Sequence, residues 1–390
     1  MRTYYLAILL AAKTALAFVQ FPTELKQHYL IPHNQGLSAK SYLLIDADTM
    51  TILDAHNADE KMPPASLTKM MSAQIVVESL NHGSAKLDDL VKVSENASKT
   101  VGSRMFLEAN SSVPLSELLK GAIVASGNDA TIALAEYISG TESQFVDIMN
   151  RKASEYGLTD THFVTATGLP DPEHYSTATD MAKLGLVTLN SNSDIYKIYS
   201  EKWYTYNKIK QSNRNRLLWK DTSVDGIKSG HTTAAGYCLV GAAKRGDMRL
   251  ISVVLGTPNS SSRDHDSQRL IDYGFRFFED IILFEKDAIV KHVPVRYGEK
   301  SEAFLTTNNQ VRITIPRGAS SQIETKIILN DENIKAPVDP STPIGHLEIF
   351  LHGQKLNHIE LFPKEKIDKA SWFKRQWQWA TYLVDSWINV

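Results

Sequence analysis

Hydrophobic positions follow two rhythms along the 390-residue chain. From about Ser38 to Leu283, helical periodicity is mixed with short apolar runs. Residues 115–138 repeat their apolar positions at helical spacing and break only at Ser126-Gly127-Asn128, which predicts two helices joined by a turn. The run Leu250-Ile251-Ser252-Val253-Val254-Leu255 is strand-length and apolar, and predicts a buried strand. After Asp287 alternation takes over, in Val311-Arg312-Ile313-Thr314-Ile315, Lys326-Ile327-Ile328-Leu329 and His346-Leu347-Glu348-Ile349-Phe350. Pro294, Pro316, Pro337, Pro340, Pro343 and Pro363 punctuate this part, so a small all-β module bounded by breakers follows the mixed region. No internal repeat or low-complexity stretch is visible.

Both ends depart from these rhythms. Arg2 precedes an apolar run from Tyr4 to Ala12, and Ala15-Leu16-Ala17 supplies a small-x-small site, the anatomy of a secretory signal cut before Phe18. Lys13 interrupts the run and keeps it well short of the roughly 18–20 apolar residues that a spanning helix needs. A buried amphipathic helix is the other reading. At the C-terminus, Trp372, Phe373, Trp377, Trp379, Ala380, Leu383, Val384, Trp387 and Ile388 fall on one half of a helical wheel. Lys374, Gln378, Thr381 and Asp385 fall opposite, and Lys364, Lys366, Lys369 and Arg375 lead in or flank. Tryptophan favours the headgroup layer and lysine favours anionic lipid, so the tail predicts a helix lying in a membrane surface. The plainer alternative is a terminal helix docked on the protein's own core.

Composition narrows the class. Hydrophobic residues at 43% and charged residues at 22% exclude wholesale disorder and a polytopic membrane protein, and the length fits two or three domains. With 42 Lys and Arg against 44 Asp and Glu, there is no basic excess to neutralise phosphates, which argues against a dedicated nucleic-acid binder. The single cysteine, Cys238, rules out a disulfide framework and a multi-cysteine metal site. Its apolar surroundings predict a buried strand thiol. His162, His174, His265, His292 and the other histidines are scattered without metal-ligand spacing, so no metal or other cofactor is implied.

Three short strings carry the chemistry. Ser-x-x-Lys occurs at Ser66–Lys69 and again at Ser371–Lys374; Ser-x-Asn occurs at Ser79, Ser94 and Ser126, and only the last breaks a long helical run; Lys-Ser-Gly occurs once, at Lys228-Ser229-Gly230. Ser66 follows Pro63-Pro64-Ala65 and opens a helix-like run, with Lys69 one turn on along the same face, so an amine can reach that hydroxyl. A serine hydroxyl attacks only if a base takes its proton. A lysine serves as that base only if burial or a second cation depresses its pKa, and Lys228 would supply the cation. Ser126 can relay a proton, and Asn128 can hold Lys69 and a substrate amide.

With the three strings in order, 60 and then 102 residues apart, the chain resembles the low-molecular-mass penicillin-binding proteins that act as D-alanyl-D-alanine carboxypeptidases. Ser126-Gly127-Asn128-Asp129-Ala130, Thr161-His162-Phe163, Asn213-Arg214-Asn215, Gly230-His231-Thr232 and Gly274-Phe275-Arg276-Phe277-Phe278-Glu279 extend the resemblance. It implies an α+β fold: a serine β-lactamase/transpeptidase-like domain, with an antiparallel sheet flanked by helices and a helical subdomain, then a small all-β domain and an amphipathic helix. The expected boundaries are a signal peptide at 1–17, the penicillin-binding domain at 18–284, the β domain at 285–363 and the anchoring helix at 364–390.

The resemblance implies that Ser66 attacks the penultimate D-alanine of a peptidoglycan stem pentapeptide, D-alanine leaves, and water releases the acyl-enzyme. β-Lactams would acylate the same serine as covalent inhibitors. The amides of Ser66 and His231 would form the oxyanion hole, and Arg263 would help hold the terminal carboxylate. Arg263 could also be one of several surface cations, and His231 could be structural. Residues 98–106 match a loop beside the active site. Ser229 stands where most relatives have threonine, which keeps the hydroxyl and loses a methyl. An exported enzyme with a surface-lying tail would sit on the periplasmic face of the inner membrane. A class A-like β-lactamase shares the three strings, but no Glu-x-x-x-Asn lies between Asn128 and Lys228. A catalytically inactive cell-wall binding protein is the non-enzyme alternative.

Overall fold

The computed structural model describes residues 17–373 and 376. The signal segment through residue 16 and tail positions 374, 375 and 377–390 lie outside the described residues. One compact unit takes the residues up to Gln20 and His33–Phe275; the other takes Phe21–Pro32 and the chain from Arg276 onward.

The first unit is built on a six-stranded sheet in the order Val19–Gln20, Thr51–His56, Ser41–Asp46, Met248–Thr257, Gly236–Arg245, Val224–Thr232. Its pairs are antiparallel except the first. The apolar run at 250–255 forms the middle of the fourth strand in this order, Met248–Thr257, buried on both faces. Helices cover the two faces. Gly185 in the helix Ala178–Ser191 lets that helix approach Val240, Ile227 and Ile251, where a Cβ would already stand 3.3–3.6 Å from their methyls. Gly274 in the helix Ser260–Phe277 does the same against Leu250 and Leu44 on the opposite face.

A helical subdomain packs around the helix Lys69–Asn81, whose residues from Lys69 to Val77 are all buried. The sequence predicts two helices broken at Ser126, and they run Leu115–Ile123 and Asn128–Ser139. Cys238 is fully buried on its strand, and burial pushes its thiol up to about 11.

In the second unit, Phe278–Phe284 pairs with Val311–Pro316, and a five-stranded sheet runs in the order Ile289–Pro294, Glu302–Thr306, Gln354–Pro363, Gly345–Leu351, Ile323–Leu329. Gly345–Leu351 alternates buried and part-exposed positions without a break, so Leu347, Ile349 and Leu351 enter the core. Each such burial contributes roughly 1.5–3 kcal/mol. The module does not end at Pro363. Ile367 exchanges both backbone hydrogen bonds with Val338, the Ala370 amide donates to the Tyr297 carbonyl, and both side chains are buried. Helical backbone first appears at Trp372, later than the expected 364, and Trp372 and Phe373 are 59% and 79% exposed.

Candidate active site

Ser66 sits in a single 3₁₀ turn, Ala65–Thr68, and the α-helix proper begins at Lys69. This differs from the sequence reading, in which Ser66 opens the helix. In a 3₁₀ turn, positions i and i+3 eclipse, which aligns the hydroxyl with the Lys69 side chain. Lys69 Nζ donates to Ser66 Oγ at 3.0 Å and to the Thr167 carbonyl at 2.7 Å. Lys69 is 1% exposed, and burial lowers its pKa to about 7, against an opposing pull from Asp129. Ala65 holds a left-handed φ of 49°, a costly conformation for a residue with a Cβ.

Two partners of this turn carry no sequence signal of their own. Gly168, at φ 82°, lies so close that a Cβ would come within 1.9 Å of the Ala65 carbonyl oxygen; only glycine fits. His174 is buried, and its Nδ1 accepts from the amides of Val164 and Thr165 at 3.0 and 3.3 Å. Its Nε2–H therefore donates to Thr68 Oγ1 at 2.8 Å, and burial lowers the imidazole to about 4, so it stays neutral while bracing the turn.

Ser126 connects the two predicted helices, again with a left-handed φ, of 58°. Lys228 Nζ donates to Ser126 Oγ at 2.9 Å and to the Ser229 carbonyl at 3.0 Å. Lys228 is buried, and desolvation together with the charges of Lys69, Arg214 and Arg263 holds its amine well below the lysine range. It lies on Val224–Thr232, the outermost strand of its sheet. Gly230 on that strand brings the backbone onto the nucleophile turn, since a Cβ would stand 3.0 Å from the Pro64 carbonyl and 3.1 Å from the Ser66 amide nitrogen.

Asn128 takes a different partner from the one expected. Its Nδ2 donates to the Val101 carbonyl at 2.6 Å, and its amide donates to the Ser103 carbonyl at 2.7 Å. Beside it, the buried Asp129 carboxylate accepts from the amides of Met105, Phe106 and Leu107 at 2.8–3.1 Å. The loop that the resemblance put beside the site is thus clamped by the two residues following Ser126 and Gly127, and Ser103 reaches the cleft.

Ser66, Ser126, Ser229, Gly230, His231 and Arg263 line one cleft of about 340 Å³. Lys69 and Lys228 are buried and hydrogen-bonded to two of those serines. His231 is exposed, its ring stacked on Tyr237 at 3.9 Å between centroids. Arg263 is no surface cation: it is 4% exposed, and its guanidinium donates to Asp264 at 2.7 and 3.0 Å and to the Arg214 carbonyl at 3.1 Å. Arg214 and Arg216, both exposed, add two further cations to the lining. Among the described residues that line the cleft there is no carboxylate. The Ser-x-Asn copies at Ser94 and Ser79 stand elsewhere, and Lys374 of Ser371–Lys374 lies outside the described residues. Ser94 caps the helix Glu95–Lys99 by accepting from the Ala97 amide, and Ser79 bonds back to the Ile75 carbonyl.

Known proteins resemble this chain in sequence and in fold. The family described as D-alanyl-D-alanine carboxypeptidase matches residues 29–259, and the domain described as penicillin-binding protein 5, C-terminal domain, matches residues 278–369. The D-alanyl-D-alanine carboxypeptidase DacC of Escherichia coli is 38% identical, with 99% of each chain covered. DacA of Haemophilus influenzae is 40% identical over 89% of this chain and 90% of its own. The crystal structure of penicillin-binding protein 5 from Haemophilus influenzae superposes with a TM-score of 0.84, covering 87% of this chain and all of that one at 40% identity.

Proposed function

The chain belongs to the D-alanyl-D-alanine carboxypeptidase family, serine peptidases that bind penicillin and act on peptidoglycan, and from this premise we propose how its residues perform the reaction. Ser66 Oγ attacks the carbonyl of the penultimate D-alanine of a stem pentapeptide, and neutral Lys69 takes the hydroxyl proton. The proton that Lys69 has taken is relayed through the hydroxyl of Ser126, which Lys228 holds, to the departing D-alanine nitrogen, leaving Lys69 neutral and Ser126 a hydroxyl. The acyl-enzyme on Ser66 is then hydrolysed by water, which supplies hydroxyl to the carbonyl carbon and returns a proton to the serine. The observation that carries this reading is the 3.0 Å bond from a buried, pKa-depressed Lys69 to the one serine of its turn that faces the cleft.

The oxyanion has the Ser66 and His231 amides as proposed donors, and the close approach permitted by Gly230 supports the pairing. Val224–Thr232 is an edge strand of its sheet, with one side not paired to another strand, and an extended peptide can pair along that side. The cations Arg214, Arg216 and Arg263 and the Ser229 hydroxyl suit the terminal carboxylate of that peptide. A class A-like β-lactamase needs a carboxylate to activate the deacylating water, and the cleft lining has none. D-Alanine release from a pentapeptide tests the reading directly; its absence in an intact, folded chain would leave only a binding role.

Ser229 gives a graded check. Ser229→Thr keeps the hydroxyl and should change kcat/KM for D-alanine release by only roughly 1–2 kcal/mol. Ser229→Ala removes a donor from the carboxylate and should be clearly worse. Equal turnover by the two variants removes the hydroxyl from substrate binding.

We further propose export by the leader at 1–17 and a peripheral hold on the periplasmic face of the inner membrane through the tail. Among the described residues no helix is long and apolar enough to cross a membrane, and the exposed Trp372 and Phe373 support a surface contact. Because Ile367 and Ala370 are core residues, the fitting truncation ends at Ser371. That protein should turn over pentapeptide normally and stay in solution where the full chain sediments with anionic vesicles. If the truncated chain still sediments, or melts at a markedly lower temperature, the tail is part of the core instead.

A further inference from the structure

The sheet of the second unit carries a donor set that the acyl-transfer chemistry leaves unused. His346 and Glu348 are two residues apart on Gly345–Leu351, both at part-exposed positions of its alternation, so they project from one face. The neighbouring strand Gln354–Pro363 sets His358 directly opposite Glu348 and Glu360 opposite His346. One ring nitrogen of each histidine and one carboxylate oxygen of Glu348 lie within 4.8 Å of one another. The two imidazole rings are 4.3 Å apart between centroids, tilted by 35°.

We propose that His346, Glu348 and His358 form a binding site for a first-row divalent transition metal, with zinc the best fit. Two imidazoles and one carboxylate are the mixed nitrogen and oxygen set of three-ligand zinc sites, which leave a fourth tetrahedral position to water. Ligands at about 2.1 Å from a tetrahedral ion stand about 3.4 Å from one another, so side-chain rotations closing at most about 1.4 Å complete the site. Imidazole selects against magnesium and calcium, which take oxygen. Two antiparallel strands fix the three Cβ positions, which lowers the ordering cost on binding.

The flanking charges define the competition. Lys355 Nζ holds Glu348 Oε1 at 2.6 Å, and Lys326 stands opposite Glu348 in the register of the strand on the other side. A divalent ion replaces the Lys355 contact or takes the second carboxylate oxygen, and Glu360 beside His346 partly balances the added charge.

The test is calorimetric titration of zinc chloride into the tag-free full chain at pH 7.5 after chelator treatment. One saturable equivalent is expected, with affinity falling at least about tenfold in His346→Ala and in His358→Ala, and Glu348→Gln intermediate. Zinc should also raise the melting temperature of the parent chain and of neither histidine variant. Absence of saturable binding, or binding that both histidine variants keep undiminished, overturns the proposal.

Discussion

A Ser66→Ala protein takes up no fluorescent penicillin, and a Lys69→Ala protein is nearly as silent, with acylation down by roughly 10⁴-fold or more. The first outcome follows from the covalent bond itself: Ser66 lines the cleft, with the buried Lys69 amine at 3.0 Å from its hydroxyl. The second follows because a hydroxyl without a base is a poor nucleophile at neutral pH. Nucleophile and base act as one unit, so the double variant should be little worse than either single change. Neither substitution should unfold the chain. Ser66 is only part-buried, and Lys69→Ala removes a desolvated amine at the expense of leaving the Thr167 carbonyl unpaired. Full labelling of Ser66→Ala, with melting unchanged, would move the nucleophile elsewhere and end the assignment.

What was legible in the sequence follows the range of the interaction. Local periodicity gave the helices on either side of Ser126 and the strand around Leu250, because each buries one stripe or one short run against a single layer. The alternation of His346 to Phe350 likewise became alternating burial. The three catalytic strings were readable because their spacing within each string is a local geometry, one turn or one strand. The residues that hold those strings together were not readable. Thr167 and Gly168 meet the nucleophile turn from about a hundred positions away, and nothing in Thr165-Ala166-Thr167-Gly168 announces that a backbone must approach the Ala65 carbonyl there. For Arg263 the sequence leaves open a carboxylate-holding role and a surface cation beside Asp264 and Asp266, since it cannot tell a paired buried guanidinium from a solvated one. Arg216 gave no signal. The histidines looked scattered because His346 and His358 become neighbours only through antiparallel register. The end of the β module was misjudged at Pro363 for the same reason: Ile367 is held by Val338, a partner that no local pattern names.

Acylation should rise with pH through about 7 and level off above it. The base has to be neutral to take the Ser66 proton, and burial lowers Lys69 to about 7, with Asp129 pulling the other way. Below that value the neutral fraction falls tenfold per unit, so the second-order rate with a fluorescent penicillin at pH 5 should be about 100-fold below its plateau. Lys228 shares the pocket and is also held low, partly by the Lys69 charge, so the midpoint belongs to the pair rather than to one amine. The same shift has a signature in stability. The unfolded chain keeps the Lys69 proton up to about 10.5, whereas the folded chain has released it above about 7. Between those values the unfolded state binds more protons, so this group's contribution is most unfavourable at and below pH 7 and improves as pH rises. Measured against Lys69→Met, which cannot titrate, the parent chain should gain on the order of 1 kcal/mol per pH unit between pH 7 and 9. Hydrogen bonds lost in the variant do not titrate in that window and leave the slope intact. An acylation rate that stays flat from pH 5 to 9, together with a stability difference that does not change with pH, would mean that Lys69 is charged in the folded chain and is not the base.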